Sequence, residues 1–261
     1  MQSHWKIKAG ERIYAIGDIH GCNDLLAEIL SQIRLDNASR PTARTGIIVL
    51  GDVIDRGPDS AGLIARLMRY TRYGKRFTVL RGNHEQTMLA ALSGNVEAAK
   101  AWLKIGGRQT LESWGVAAEL LDQAPLQVLM THARLRIPAE VTAWVSRLPL
   151  YKQSGSVVFV HAGIKPGVAL DKQDPNDLMW IRDGFVDCPV AHPFLVVHGH
   201  TIVENGPDFA GNRIGLDTGA YRTGRLTALG LEGDRTWTLA TGKSGCASAA
   251  TLDNAEGADG A

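Results

Sequence analysis

The stretch Arg12-Ile13-Tyr14-Ala15-Ile16-Gly17-Asp18-Ile19-His20-Gly21 sets the reading of the whole chain. An apolar run too short for a buried helix stops at a glycine, and an Asp and a His two residues apart follow between flexible glycines. Such a run reads as a buried strand, and polar groups just past its end line a site. The same grammar recurs at Gly46 to Leu50 before Gly51-Asp52, Phe77 to Leu80 before Arg81-Gly82-Asn83, Val157 to Val160 before His161, and Phe194 to Val197 before His198-Gly199-His200.

Helical periodicity fills the gaps between the first strands. Leu25, Leu26, Ile29, Leu30 and Ile33 predict a helix over Asn23 to Ile33, and Leu63, Ile64, Leu67 and Met68 predict one over Ser60 to Tyr70, with Asn23 and Ser60 as N-caps. The alternation predicts an α/β (α+β) fold: a sheet layered by helices, with ligands outside the strands' carboxyl ends. From about Gln86 to Gln153 the strand-then-polar pattern is missing and periodic apolar positions replace it, so this segment reads as a helical insertion. Two of its helices fall near Leu126 to Leu135 and Pro138 to Arg147. Strands return after Trp180, including Arg225 to Leu231 and Thr236 to Ala240, antiparallel across Glu232-Gly233-Asp234. From Gly242 the chain is Gly, Ala, Ser and acidic residues, which predicts a disordered tail (242–261) behind one catalytic domain (1–241).

Composition narrows the class. With 44% hydrophobic and 21% charged residues among 261, the chain can bury a sizeable core. A net charge of +1 with scattered basic residues gives no footprint for nucleic acid or an anionic membrane, so affinity for phosphate must come from a local site. Cys22, Cys188 and Cys246 are odd in number and lack a CxxC pair, which argues against a disulfide framework or a thiolate zinc site and suits a reducing cytoplasm. No run approaches the roughly 18 apolar residues that span a bilayer.

Each polar cluster has an ordinary structural explanation when taken alone. Asp18 could cap a helix, Asp55 and Arg56 could form a surface pair, Asn83 could open a helix, and a lone His161 or His200 is more often a packed residue than a ligand. Together they are harder to dismiss. Five strand ends each deliver groups competent to bind a metal, and a buried carboxylate there needs a counter-charge. This residue-level reading leaves the partition of the donors between ions open.

The motifs Gly17-Asp18-Ile19-His20-Gly21, Gly51-Asp52-Val53-Ile54-Asp55-Arg56-Gly57, Arg81-Gly82-Asn83-His84-Glu85, His161-Ala162-Gly163 and Gly199-His200-Thr201 resemble those of the PPP-type serine/threonine phosphatases, within the calcineurin-like metallophosphoesterases. Cys22, Pro58-Asp59-Ser60 and Gly215-Leu216-Asp217-Thr218-Gly219-Ala220 resemble the small bacterial and phage branch. The resemblance implies a β-sandwich flanked by helices and two divalent cations, Mn²⁺ by preference, with Fe, Zn or Ni compatible. It implies Asp18 and His20 on the first ion, Asp52 bridging, and Asn83, His161 and His200 on the second. It further implies His84 as the catalytic acid oriented by Asp55, with Arg56 and, from the looser Trp180-Ile181-Arg182 motif, Arg182 as phosphate clamps. His198 competes with His200 for the last ligand position, and in an extended segment the two would share a face. The tyrosine-containing motif near the C-terminus of eukaryotic members has no counterpart, and Tyr221 stands in different surroundings.

The implied reaction is hydrolysis of phosphoserine, phosphothreonine or phosphotyrosine in proteins, or of a small phosphoester, by a metal-bridging water, with no nucleic-acid or membrane partner. The alternative is a diadenosine tetraphosphate hydrolase. Those enzymes share much of the motif set but tend to lack the Asp of the Asp55-Arg56 pair. A third reading, a binding scaffold without chemistry, sits poorly with a full complement of competent residues.

Overall fold

The computed structural model describes residues 5–74, 76–188 and 192–242, so the predicted tail and Cys246 lie outside the described residues apart from Gly242. The described strands are β1 (Glu11–Ile16), β2 (Arg44–Val49), β3 (Phe77–Val79), β4 (Tyr151–Ser154), β5 (Val157–Val160), β6 (Leu195–His198), β7 (Asp208–Ala210), β8 (Arg213–Gly215), β9 (Thr227–Glu232) and β10 (Arg235–Ala240). They form two five-stranded sheets, ordered β10-β9-β1-β2-β3 and β4-β5-β6-β8-β7. Three strands of each sheet run parallel, β1 with β2 and the edge strand β3 in one and β5 with β6 and β8 in the other. Parallel strands send all their carboxyl ends the same way, which is what gathers the polar clusters.

Alternation along each strand separates the cores. Ile13 and Ala15 of β1, Phe159 of β5 and Val197 of β6 pack between the sheets, whereas Tyr14 and Ile16 face the helical layer and Val160 and Val196 face a smaller outer cluster. The helices are α1 (Asn23–Ala38), α2 (Ser60–Tyr73), α3 (Asn83–Leu92), α4 (Val96–Trp102), α5 (Arg108–Ser113), α6 (Ala118–Gln123), α7 (Leu126–Arg136), α8 (Ala139–Ser146), α9 (Pro175–Trp180) and α10 (Ala220–Thr223). A π-helical turn at Leu103–Gly107 separates α4 from α5. A polar staple holds α1 to its sheet: Asp36 accepts from the Tyr14 hydroxyl (2.5 Å), the Trp237 indole (3.0 Å) and the Arg40 guanidinium (2.8 and 2.9 Å). Among the described residues no helix is long and apolar enough to cross a membrane.

Four details depart from the sequence reading. The segment expected to be wholly helical ends in β4, a largely polar edge strand whose exposed residues leave no apolar run to detect. Its first helix starts at Asn83, so Asn83, His84 and Glu85 form a helix's opening turn. The cap of α2 is Asp59, whose Oδ1 accepts from Gly62 N at 2.8 Å, while Ser60 sits inside the helix. Asn23 is likewise the first residue of α1; its amide donates to Asp59 Oδ2 at 2.7 Å rather than capping its own helix.

Candidate active site

At the carboxyl ends of the parallel strands the loops are tied to one another. His20 N donates to Asp52 O (2.9 Å), Gly199 N to His161 O (2.8 Å), Leu216 N to His198 O (2.8 Å), and His200 N to Asp18 Oδ2 (3.0 Å). Glu85, fully buried in α3, accepts from the backbone amides of Asp52 (2.9 Å), Val53 (2.8 Å), Ile54 (3.3 Å) and Gly82 (2.8 Å). Burial, then the nearby Asp52, pushes its carboxyl up to about 7, against the pull of those amides toward the ionised form.

Among the described residues, the non-glycine positions with positive φ are His20 (48°), Asp52 (45°), Asp55 (71°), Arg56 (67°) and His200 (62°). Every one is a residue singled out from sequence. Left-handed backbone costs an ordinary residue roughly 1–2 kcal/mol, so strain concentrated in one place marks a site that the surrounding structure enforces. Gly82 and Gly199 are obligatory for a different reason: a Cβ at either would collide with a carboxylate oxygen, of Asp52 and of Asp18 respectively.

The structure forms two buried groups competent to hold a cation, His20 with Asp52 and His84, and Asp52 with His161 and His200, each with its donor atoms within 4.8 Å of one another; Asp18, expected beside His20, is in neither, and His84, expected as the acid, stands in the first. Asp52 is common to both, its Oδ2 lying 3.8 Å from His20 Nε2, 3.7 Å from His84 Nε2 and 3.4 Å from His161 Nε2. Hydrogen bonding fixes the tautomers. His20 Nδ1 lies 2.8 Å from Ile54 O and His161 Nδ1 lies 3.0 Å from Leu50 O. A carbonyl can only accept, so Nδ1 carries the proton and the Nε2 lone pair of the neutral ring points inward, the usual outer bond of a metal-binding histidine. Asn83 Oδ1 then faces His161 Nε2 at 2.8 Å, two acceptors that need a cation or an extra proton between them.

Electrostatics points the same way. Burial drives His20 and His200 down to about 3 and lowers His161, so at neutral pH these rings carry no charge to offset Asp52. Asp18 is pushed well above the usual carboxylate range by burial and by the Asp217 and Asp52 carboxylates, and its Oδ1 has no hydrogen-bond partner. An arrangement of oxygen and imidazole donors that is both charge-frustrated and partly unpaired fits divalent cations.

Beside these donors stands a second device. Asp55 Oδ2 lies 2.7 Å from His84 Nδ1; burial would lower His84, but Asp52 and Asp55 outweigh it and raise the imidazole's proton affinity. Asp55 is held by the helical segment: Trp102 Nε1 donates to both carboxylate oxygens (3.0 and 3.1 Å), and Thr110 Oγ1 donates to Oδ1 (2.5 Å). Its amide donates to Thr110 Oγ1 (2.9 Å) and Ser60 Oγ (3.1 Å). Arg56 is pinned to the π turn, with N bonded to Gly106 O (3.2 Å) and Nε to Ile105 O (3.3 Å), while Nη1 lies 3.1 Å from His20 Nε2. Arg182 reaches the loop of His200, Nη2 donating to His200 O at 3.4 Å.

Three sequence judgements change. His198 and His200 do not share a face, because His200 leaves the strand with positive φ; its ring stacks edge-on to His161 at 5.1 Å, while His198 packs against Phe185, also at 5.1 Å. Tyr221 belongs to the site's wall, edge-on to His20 at 5.3 Å and beneath the Arg56 guanidinium at 4.8 Å. Asp217 was overlooked as a site residue although Leu216-Asp217 follows β8 in the same strand-then-polar manner; it is buried and pushed up to about 6, chiefly by burial. Trp102 and Thr110 left no comparable trace.

A helix-flanked β-sandwich whose strand ends converge on Asp, His and Asn donors defines a metal-dependent phosphoester hydrolase. Residues 11–222 match the calcineurin-like phosphoesterases, and the chain belongs to that family, whose members bind a dinuclear divalent centre. The serine/threonine-protein phosphatase 1 of Salmonella typhimurium is 29% identical over 84% of this chain and 92% of its own length. The asymmetrical bis(5'-nucleosyl)-tetraphosphatase PrpE of Anoxybacillus flavithermus is 28% identical over 82% and 88%. The chain spans 44% of the length of symmetrical bis(5'-nucleosyl)-tetraphosphatases such as that of Acidovorax sp.. Among solved structures, the cold-active protein-tyrosine phosphatase of a psychrophilic Shewanella superposes with a TM-score of 0.59 over 91% of this chain and 82% of that one, at 17% identity, a likeness of fold.

Proposed function

We propose that the chain is a phosphoprotein phosphatase acting on phosphoserine and phosphothreonine, with phosphotyrosine also accepted. The observation that carries this reading is the Asp55–His84 pair, 2.7 Å apart and raised in basicity, which suits protonation of a serine or threonine alkoxide as it leaves. In this reading Asp18, His20 and Asp52 hold one divalent cation and Asp52, Asn83, His161 and His200 a second, Mn²⁺ by preference. The cations would supply Lewis-acid polarisation of the phosphoryl group and activation of water.

The chain's own groups do the rest. Arg56, beside His20, and Arg182, beside His200, offer guanidinium forks to the non-bridging phosphoryl oxygens and orient the ester. His84 stands ready as imidazolium, its Nδ1 proton held by Asp55, and gives its Nε2 proton to the departing oxygen. Residues 1–241 act as one catalytic unit in the cytoplasm.

PrpE-like similarity over most of both chains supports a second reading, cleavage of dinucleoside tetraphosphates. Turnover of a phosphoserine peptide, a phosphothreonine peptide and diadenosine tetraphosphate with Mn²⁺ separates them. The expected result is faster hydrolysis of the peptides; efficient cleavage of the tetraphosphate alone would overturn the proposal.

A further inference from the structure

A groove of about 1120 Å³ on the described surface holds none of the residues assigned to catalysis. It lies where both sheets end, at the edge strands β3 and β4, between the last turns of α2 and α8. Its lining divides by chemistry. Met68, Phe77, Trp144 and Leu148 give an apolar interior, and Arg69, Arg72, Arg147 and Lys152 stand around it, all exposed, with Glu140 as the sole acid of the lining. None of these four cations forms an ion pair among the described residues, in contrast to Arg76 nearby, which reaches Glu11 at 4.0 Å. Tyr73, at the same rim, leaves 73% of its surface in water.

We propose that this groove docks an extended segment of a partner protein that carries an apolar anchor side chain flanked by Asp or Glu. Unpaired cations on both banks repel one another and are relieved by an acidic chain lying between them, while the apolar interior rewards a buried aliphatic or aromatic side chain. The concave shape disfavours a flat membrane surface. Cations set on opposite banks of an apolar trough suit a peptide better than a nucleic-acid backbone, whose phosphates call for a continuous basic stripe. Catalysis and docking would be joined by a short path, since Arg81 N donates to Pro149 O (3.0 Å) beside the groove and Arg81 leads directly into Gly82-Asn83. The inference does not depend on which phosphoester the active site cleaves.

Selection of short random peptides displayed on phage against the full chain tests it, followed by fluorescence anisotropy with the recovered sequences as synthetic probes. The expected peptides combine an apolar residue with flanking acids and bind more weakly as salt rises. Their affinity should fall ~10-fold or more in the R72E/R147E double variant and severalfold in Tyr73→Ala, with 4-nitrophenyl phosphate turnover within about twofold of the parent. Recovery of peptides without acidic enrichment, affinity unchanged in both variants, or failure to recover any binder overturns the proposal. So does a single-stranded RNA homopolymer that competes for the groove with the same sensitivity to R72E/R147E and more tightly than any peptide.

Discussion

Removing the Trp102 N–H tests whether the helical segment takes part in catalysis by holding Asp55. Trp102→Phe keeps an aromatic ring in a fully buried position and deletes the donor that spans both oxygens of Asp55. A hydrogen bond to a charged group contributes roughly 1.5–3 kcal/mol, and at ~2–4 °C per kcal/mol for a chain of this size the variant should melt about 3–12 °C lower. If all of that restraint acted on the Asp55–His84 geometry, the rate would fall by as much as ~10²-fold, one decade per ~1.4 kcal/mol. Thr110 still donates to Oδ1, so the loss should be nearer ~10-fold. The diagnostic is the leaving group. An alkoxide such as that of phosphoserine needs the proton that His84 is proposed to supply, whereas 4-nitrophenolate departs without one. Steady-state kcat at saturating Mn²⁺ should therefore fall for a phosphoserine peptide and stay within about twofold for 4-nitrophenyl phosphate, with metal content unchanged. Equal losses on the two substrates, or none on the peptide, would refute a positioning role for Trp102.

Direct replacement of the proposed acid, His84→Asn, should lower kcat on the peptide by ~10²-fold or more while inductively coupled plasma analysis still finds bound metal. Asp52→Asn should lose metal and turnover together, because both donor groups share its carboxylate; full metal occupancy would contradict the proposed bridging role. Mn²⁺ at about 100 times its Kd should raise the melting temperature by roughly 5–11 °C, from ~2.7 kcal/mol of linkage, and Gly199→Ala should blunt the shift by displacing Asp18. Far from the site, Asp36→Ala should cost ~1–3 kcal/mol by orphaning the buried Tyr14 hydroxyl. Burial works to raise Asp36, but hydrogen bonds from Arg40, Tyr14 and Trp237 outweigh it and hold it below its ordinary value. Its stabilising effect is thus full above the unfolded carboxylate value and lost as pH falls through the folded one, so the gap between wild type and variant in urea titrations should shrink in acid.

Legibility in the sequence followed chain locality. Asp18, His20, Asp52, Asn83, His161 and His200 each announce themselves within a few residues of an apolar run, because a parallel strand must be apolar on both faces and its carboxyl end is where the polar burden appears. Even Asp217 obeyed that rule, and only the brevity of β8, three residues, hid its strand. Tyr151 to Ser154 failed it in the opposite sense: an edge strand with one partner has no need of an apolar run. Trp102 and Thr110 obey no local rule. Their partner Asp55 lies 47 and 55 residues away, and each reads locally as an ordinary helical position. What connects them is the π turn between α4 and α5, where Gly106, at φ 119°, passes so close to Arg56 that a Cβ would sit 2.7 Å from its backbone nitrogen. That close passage lets one segment present carbonyls to Arg56, an indole to Asp55 and a hydroxyl to the Asp55 amide at once. Asp55, partner of the proposed proton donor, and Arg56, the proposed phosphate clamp, are thereby held by the same helical segment, so substitutions at Gly106 should disturb both together, whereas changes confined to the loops carrying the proposed ligands should first affect metal affinity.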